Sequence, residues 1–533
     1  MEKGKKARHT ETTAEVITAT LHKRWPLVLK GIGAGIVASA VTMTYRLFID
    51  FFSMIREAML EDCSGSIGLM LSWFVFLFVI AICVGFLMNY APMARGSGIP
   101  QVEGELVGLF DMDWLRVIQA KFLGGLMVIG CGLSMGREGP SVQLGALAGK
   151  GLSDTLGLNR SEEKVLMTAG AGAGLAAAFN APLSGLLFAL EEVHKNFSVD
   201  ILLCTMAACV TSDYMSKYLF GLDPAISFFN VEKLPLELMW VPVILGILLG
   251  LLGAFYNWCS LRTQDLFGKL KGWSPTAKLF IPFFLAGVFA FTFPYVLGDG
   301  HHLIGWMIDE QPIIGLLLAV LIVKYVFSMI CFGSGAPGGT LVPMLVLGAL
   351  IGGATGTIAI NYFALPPAFL QNFILLGMTG YFAAIVKAPI TGIILTCEIT
   401  GSFQQFLPYS MVALIAYVVS DLCHAEPLYE LLLNRMIPQG EKTHTHASYH
   451  NKVLVEMQVF HGSPGAGKLI REIEWPKDCL VVAILRDERE VIPSGNVKLY
   501  AGDTIQLLTS EQKVYFIKER LSRVFQVMED PLL

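Results

Sequence analysis

The sequence Gly-Arg-Glu-Gly-Pro at residues 136–140 lies within a long apolar part of the chain. Glycine and proline interrupt helices, and similar breaks occur upstream at 95–100 and downstream at 333–339. At membrane depth, irregular backbone is tolerated only where it lines a cavity or is buried in protein. Broken helices direct their N-termini, which carry unpaired N–H groups and positive dipole ends, at a common point. The three breaks therefore predict an anion pathway through a membrane, with the carboxylate of Glu138 inside it.

The composition indicates a polytopic α-helical membrane protein. Hydrophobic residues make up 54% of the 533 residues and charged residues only 15%, and the mean hydropathy is +0.60. Apolar segments of about 18 or more residues, long enough to cross a bilayer, recur from Leu27 to Val419. Several are interrupted, so the number of helices is expected to be higher than the number of segments. The predicted segments are 27–55, 67–91, 117–135, 165–191, 199–220, 236–260, 278–297, 312–332, 340–363, 367–386 and 390–422.

The segment before the first span, residues 1–26, is basic. It holds six lysine and arginine residues, which by the positive-inside rule predicts a cytoplasmic N-terminus. It has no short apolar run with a cleavage site, so it is not interpreted as a signal peptide. Residues 12–22 are predicted to form a short amphipathic helix.

An internal repeat divides the membrane part into two related halves. Residues 181–185, followed by Glu191, match residues 388–392, followed by Glu398. The glycine-rich segments 96–100 and 333–337 are interpreted as a second repeated pair. Broken helices at corresponding positions of two halves indicate a binding site near the bilayer midplane. The predicted halves are 28–222 and 235–436.

A polar segment without periodicity, residues 437–451, is predicted to be a linker. Its three histidines suggest a metal, but no cysteine or carboxylate cluster completes a ligand set, so no metal site is expected. The cysteines lie mostly in apolar context without CxxC spacing and are interpreted as buried hydrophobic residues.

Residues 452–533 are predicted to form a small cytoplasmic α+β domain. Its expected strands are 452–460, 480–486, 490–492 and 503–509, with helices over 466–472 and 511–523.

Residues 462–468 satisfy the spacing of a phosphate-binding P-loop. However, Leu469 stands where serine or threonine must hold Mg²⁺, and Pro464 lacks an N–H of the phosphate cradle. An ATP-driven pump is therefore the least favoured function, and the protein is not expected to be an enzyme.

The quoted residues resemble the CLC family of chloride channels and chloride/proton antiporters. Residues 96–100 are similar to its GSGIP motif, 136–140 to GREGP, 339–343 to GxFxP and 427–429 to its late tyrosine motif. The motifs occur in family order, and the resemblance spans residues 27–436. It implies the CLC fold and a homodimer in which each subunit has its own pore.

The resemblance also implies the anion site. It places the Ser97 hydroxyl, the Tyr429 phenol and the backbone amides of Thr340 and Leu341 around chloride, and the glutamate matching Glu138 gates the pathway and takes up the external proton. The backbone of Gly136, Arg137 and Gly139 completes the expected chloride-binding set.

Three alternatives stay open from the residues alone. Ser97 can cap the helix that begins at Ile99, Glu138 can form a buried pair with Arg137, and Tyr429 can be a simple interface aromatic. Thr340 and Leu341 depart from the family's usual hydrophobic-plus-phenylalanine pair.

Glu192 decides between antiporter and channel. In the family's antiporters, the matching glutamate is the internal proton-transfer residue, whereas most channels have an apolar residue there. The alternative is an interfacial carboxylate at a helix end. Glu103 and Lys121 also match family positions, as an internal ion pair with a structural role.

The leading function is therefore exchange of chloride for protons, without a cofactor. The alternatives are a passive voltage- or pH-gated chloride channel and a fluoride/proton exchanger. Residues 452–533 resemble an RCK C-terminal (TrkA-C) domain, which implies a prokaryotic regulatory module that binds a cyclic dinucleotide or another small ligand. No nucleic acid polymer is expected as a partner.

Overall fold

The computed structural model describes residues 25–63, 65–222, 228, 231–270, 272–437, 452–476, 479–486, 489–510 and 514–525. The helix predicted over residues 12–22 and nearly all of the predicted linker lie outside these residues. The chain forms two compact units that divide between Asn434 and Arg435. Each unit is described by itself.

The first unit is helical. Its first half contains α1 (Trp25–Cys63), α2 (Ile67–Tyr90), α3 (Ile99–Leu106), α4 (Trp114–Gly130), α5 (Glu138–Leu156), α6 (Arg160–Phe179), α7 (Pro182–Phe188) and α8 (Val199–Phe220). Its second half contains α9 (Trp240–Lys269), α10 (Pro275–Thr292), α11 (His302–Asp309), α12 (Ile314–Gly333), α13 (Leu341–Phe363), α14 (Leu370–Val386), α15 (Pro389–Thr400) and α16 (Phe406–Leu422). Helix α17 (Leu428–Met436) follows, and its last two residues lie beyond the division at Asn434.

Eight helices in the described part of the chain are long and apolar enough to cross a membrane. The buried fraction of each helix distinguishes the helices at the centre of the unit from those at its edge. The apolar windows of Leu341–Phe363 and Pro367–Val386 are 83% and 94% buried, whereas that of Ile67–Tyr90 is 22% buried. The predicted polytopic α-helical architecture is confirmed.

Two helices at the centre are not among the predicted apolar segments. Helix α5 carries Gln143 and Lys150, and α3 carries Glu103 and Glu105, yet all four residues are buried. Their polar groups bond within the protein; Lys150, for example, pairs with Glu105 and with the carbonyl of Met112. Because these helices are enclosed by other helices rather than by lipid, they do not need an apolar surface.

The predicted segment 165–191 is broken in the structure. Asn180 adopts a left-handed conformation, with φ of 55°, between α6 and α7. Lys387 does the same between α14 and α15, with φ of 67°. Each is followed by Ala-Pro, and the proline opens the next helix at its first position.

Two glutamates tie the halves together reciprocally. Glu398 accepts hydrogen bonds from the N–H of Leu183 (2.9 Å), the N–H of Ser184 (2.8 Å) and its hydroxyl (2.5 Å), at the N-terminus of α7. Glu191 accepts the equivalent bonds from Ile390 and Thr391 at the N-terminus of α15. Such reciprocity, in which each half gives the other the same contact, is the mark of a two-fold relation.

The glycine segments follow the same two-fold relation, but not in the predicted pairing. Gly136 and Gly339 each donate an N–H to the other's carbonyl, at 2.8 and 2.7 Å. Lys121 donates to the carbonyls of Ala94 and Gly96, and Lys324 to those of Val296 and Gly298. The counterpart of segment 96–98 is therefore 298–300, and its predicted pairing with 333–337 is wrong. The shared Gly-Ser-Gly letters are a local coincidence.

Replacing Glu398 with alanine is expected to destabilise the membrane unit by about 3 kcal/mol, because it leaves two backbone N–H groups and one hydroxyl without their charged acceptor. Thermal unfolding of the protein in detergent measures the loss. Glu57→Ala is the control, since Glu57 pairs with Arg56 at the surface and its side chain is 70% exposed. Equal unfolding temperatures for the two variants would contradict the prediction.

The second unit is a small α+β domain. Strands β1 (Lys452–Gln458), β2 (Cys479–Arg486), β3 (Arg489–Val491) and β4 (Thr504–Ser510) form an antiparallel sheet in the order β1-β4-β2-β3, and α18 spans Val514–Phe525. Ile484, Leu507 and Phe525 belong to its core.

The helix predicted over residues 466–472 is wrong. Gly467 has φ of +85°, its N–H donates to the carbonyl of Leu499, and the N–H of Leu499 donates back to Lys468. Only the 3-10 turn Ile470–Glu472 is helical. A P-loop is followed directly by a helix whose N-terminus holds phosphate, and segment 462–468 has none.

Candidate functional site

Four helix N-termini meet around the Gly136–Gly339 bridge. Helices α5 and α13 begin two residues after its two members, at Glu138 and Leu341. Ser97, just before α3, approaches Gly139 closely, and Tyr429, in the first turn of α17, faces Thr340. First-turn N–H groups have no partner within their own helix, and the dipoles add positive potential. The arrangement favours an anion at the common point.

Three buried hydroxyls line this point. The Ser97 hydroxyl has no hydrogen-bond partner among the described residues, and the hydroxyls of Thr340 and the fully buried Tyr429 face each other. Buried hydroxyl groups are normally paired, so the Ser97 hydroxyl leaves a donor free for a ligand at this point. The N-cap of α3 is Gly98, without a side-chain cap, so the alternative that Ser97 caps this helix is wrong. The centroid of the buried Tyr429 ring lies 6.5 Å from that of Phe188.

The backbone at this point is closely packed. A Cβ atom added to Gly139 lies 2.7 Å from the Ser97 hydroxyl and 2.9 Å from Cα of Gly339. The sequence predicts that the N–H of Gly136 binds the anion. In the structure this N–H donates to the carbonyl of Gly339 instead. The N–H groups of Arg137 and Gly139 lie at the open N-terminus of α5, and those of Thr340 and Leu341 at that of α13.

Replacing Gly139 with alanine is expected to weaken chloride binding at least about tenfold, because the new methyl group requires a shift of Ser97 or of the Gly339 backbone. Isothermal titration of chloride into the detergent-solubilised protein measures the affinity. The control is Gly315→Ala in α12, where nothing lies within 4 Å of the added Cβ. An unchanged affinity in Gly139→Ala would contradict the placement of the anion.

Glu138 lies at the N-terminus of α5 and is 2% exposed. Its Oε2 has no hydrogen-bond partner in the described chain and lies where a Cβ on Gly136 would collide with it. Glycine at 136 therefore provides the space that the carboxylate occupies. Arg137 approaches Glu138 at 3.8 Å, but its closer partner is Asp50 at 2.8 Å. The alternative Glu138–Arg137 pair is therefore long, and Arg137 donates no hydrogen bond to the Glu138 carboxylate.

Glu192 lies in the π-helical turn Ala189–Val193, which continues α7. The residue is 3% exposed, and its Oε1 has no partner among the described residues. Tyr429 lies within electrostatic reach of both Glu192 and Glu138. Both buried carboxylates therefore lie in the neighbourhood of the same phenol.

The predicted ion pair between Glu103 and Lys121 does not form. Lys121 is fully buried and donates to backbone carbonyls instead. Glu103 pairs with Lys195, a residue that sequence reasoning missed. The only sequence signal for this contact is a lysine three residues after Glu192. The partners are distant in sequence, since the contact joins α3 to the end of the π-helical turn.

Comparison with known proteins accounts for both units. Residues 76–421 match the voltage gated chloride channel family. The chain belongs to the CLC family. Residues 454–521 match the TrkA-C domain, so the predicted class of the second unit is also confirmed.

Among curated relatives, this CLC protein is 34% identical to the H(+)/Cl(-) exchange transporter ClcA of Yersinia pseudotuberculosis over 429 residues, covering 78% of this chain and 89% of the relative. It is 38% identical to ClcA of Klebsiella pneumoniae over 363 residues, covering 66% and 76%. Among solved structures, a slow cyanobacterial Cl⁻/H⁺ antiporter matches with a TM-score of 0.74 and 27% identity over 77% of this chain and 97% of that one. A CLC-type fluoride/proton antiporter, with a TM-score of 0.64 and 24% identity over 77% and 97%, shares the fold.

Proposed function

We propose that this CLC protein exchanges chloride for protons across the membrane. The observation that carries the proposal is the buried carboxylate of Glu138 beside the unpaired hydroxyl of Ser97 and the buried phenol of Tyr429, where helix N-termini converge. Neutral hydroxyl and N–H donors suit a weakly hydrated anion that must leave again. The ClcA relatives, which are named as H⁺/Cl⁻ exchangers, support the same function.

Glu138 couples the two ions by competing with chloride. As a carboxylate, it can occupy the anion position, because its negative oxygen is attracted to the same N–H groups and dipoles. When it takes up a proton, this attraction falls and the side chain moves away, so chloride enters. The proton is thereby bound when chloride replaces the side chain and is released when the side chain returns.

Glu192 supplies the second proton step. It is buried and lies within electrostatic reach of Tyr429. A second carboxylate off the anion path lets protons reach Glu138 from the opposite face. This observation favours exchange over a passive chloride channel, which needs no such group.

We also propose that the multi-pass protein forms a homodimer in a prokaryotic cell membrane, with both termini in the cytoplasm. The basic residues before the first span support this orientation. The TrkA-C domain then lies in the cytoplasm, where it regulates transport by binding a small ligand, with a cyclic dinucleotide as the first candidate.

Proton pumping driven by a chloride gradient tests the proposed function. Liposomes containing the protein and a chloride gradient are expected to move protons against a pH gradient, and the reversal potential is expected to depend on both ions. A channel shifts its reversal potential with chloride alone and pumps no protons. Replacing chloride with fluoride in the same assay distinguishes the fluoride exchanger, and an ATPase assay on the same preparation addresses the pump.

A further inference from the structure

An ionic cluster of Glu103, Lys195 and Glu430 lies beside Glu192. The ammonium of Lys195 donates to the carboxylate of Glu103 and lies 3.6 Å from Oε2 of Glu430. The side chain of Glu103 is only 6% exposed, whereas that of Glu430 is 49% exposed. The cluster therefore extends from solvent into the protein, with Lys195 at its centre.

The backbone at Lys195 is held in an unusual conformation. Its φ is +54°, in the left-handed region that residues other than glycine rarely adopt. Such a conformation is unfavourable and persists only where surrounding contacts hold it. The polar contacts recorded for Lys195 are those with the two carboxylates, so the chain is strained at the point where it brings them together.

The other titratable groups around Glu192 are already engaged. Glu192 lies within electrostatic reach of Lys195, Glu103, Glu191 and Glu430. Both oxygens of Glu191 accept hydrogen bonds from the N-terminus of α15. His194, the other titratable residue of this segment, bonds through its ring to the Thr168 hydroxyl at 2.7 Å. Glu430, which comes from α17, is the exposed acid of the group.

We propose that Glu430 collects protons from solvent for Glu192 and that Lys195 is the positioning residue that holds it there. The inference rests on the proposed function, because it requires Glu192 to be a proton relay. A hydronium ion gives its proton to the Glu430 carboxylate, forming an O–H bond and releasing water. The acid then passes that proton through hydrogen-bonded water to Glu192 and becomes a carboxylate again.

The positive charge of Lys195 stabilises this group of carboxylates. Three carboxylates close together repel one another, and an ammonium between them offsets this repulsion. It also keeps Glu430 from turning into solvent, since the carboxylate lies within ion-pair distance. Proton collection at an exposed group matters most when protons are scarce, so its loss has a characteristic pH dependence.

The experiment measures proton flux into liposomes as the pH on the Glu430 side is varied. For Glu430→Gln, proton flux is expected to fall about fivefold at neutral pH and to approach wild type at acidic pH, where Glu192 takes protons directly from solution. Glu426→Gln is the matched control, because Glu426 is an exposed glutamate just before α17. A Glu430→Gln profile that coincides with wild type, or one that is lowered equally at every pH, overturns the proposal.

Variants of Lys195 test the positioning role. Lys195→Met is expected to give the same pH-dependent loss as Glu430→Gln, and Lys195→Arg, which keeps the charge, is expected to restore at least half of the neutral-pH flux. A merely structural role for Lys195 lowers flux at all pH values.

The Glu192→Gln background separates this inference from the proposed function. There, adding Glu430→Gln is expected to change nothing further, because the receiving group is gone. If the protein moves no protons against a pH gradient in the chloride-gradient assay, the proposed function fails. If Glu192→Gln alone keeps the wild-type ratio of chloride to protons, the relay role of Glu192 fails and the proton-collecting role fails with it. If Glu192→Gln uncouples the ions but Glu430→Gln behaves as wild type at every pH, only the proton-collecting role fails.

Discussion

Replacing Glu138 with glutamine is expected to abolish proton movement while chloride continues to flow. Glutamine keeps the size of the side chain but cannot exchange a proton, so chloride entry is no longer linked to proton uptake. Proton pumping by a chloride gradient in liposomes should fall by at least about a hundredfold, to the level of protein-free vesicles, since general acid–base groups typically contribute about 10²–10⁴-fold. Chloride efflux from the same vesicles is measured in parallel.

Glu138→Ala refines the same result. Removal of the side chain empties the space over Gly136, so the gate is lost together with the proton carrier. Chloride flux is then expected to become independent of external pH. Glu57→Gln, at an exposed surface pair, is the control and should transport both ions normally. Proton pumping that survives in either Glu138 variant would refute the role of this residue.

Replacing Glu192 with glutamine is expected to uncouple the ions as well, with proton flux reduced at least about tenfold and chloride flux retained. The residue is buried with an unpaired oxygen, so the substitution removes a proton site without breaking a recorded hydrogen bond. The readout is the ratio of chloride to protons, obtained from the reversal potential.

The neighbouring glutamate gives this experiment a matched control. Glu191 is adjacent in sequence but bonds to Thr391 at the start of α15. Glu191→Gln should therefore lower thermal stability and leave the ratio of chloride to protons unchanged. A wild-type ratio in Glu192→Gln would show that protons pass without this carboxylate and would refute its role as the internal relay.

The parts of the site that the sequence predicted are those encoded by breaks in apolar segments. Gly136, Glu138 and Gly139 are visible because glycine and proline next to a charge are exceptional at membrane depth. Ser97 and Tyr429 were found through family motifs, and the structure brings both to the same point as Glu138. Their roles in transport stay predictions until the variants are measured.

The errors arise where distant contacts decide the structure. Lys121 was paired with Glu103 by family position, but the fold directs it to the carbonyls of Ala94 and Gly96. Helix α5 escaped detection because its polar residues are covered by other helices. The segment 466–472 was predicted as helical, yet its backbone pairs with residues 497–499. No local pattern encodes such long-range pairings.

The exchanged caps of Glu191 and Glu398 have a consequence for how the protein is made. Helix α7 begins in the first half but finds its carboxylate in the second, and α15 does the reverse. When only the first half has been synthesised, the N–H groups at the start of α7 have no acceptor and the carboxylate of Glu191 has no donor. The caps of α7 can therefore form only after Glu398 has been synthesised, and neither half contains all the acceptors that its own helices use.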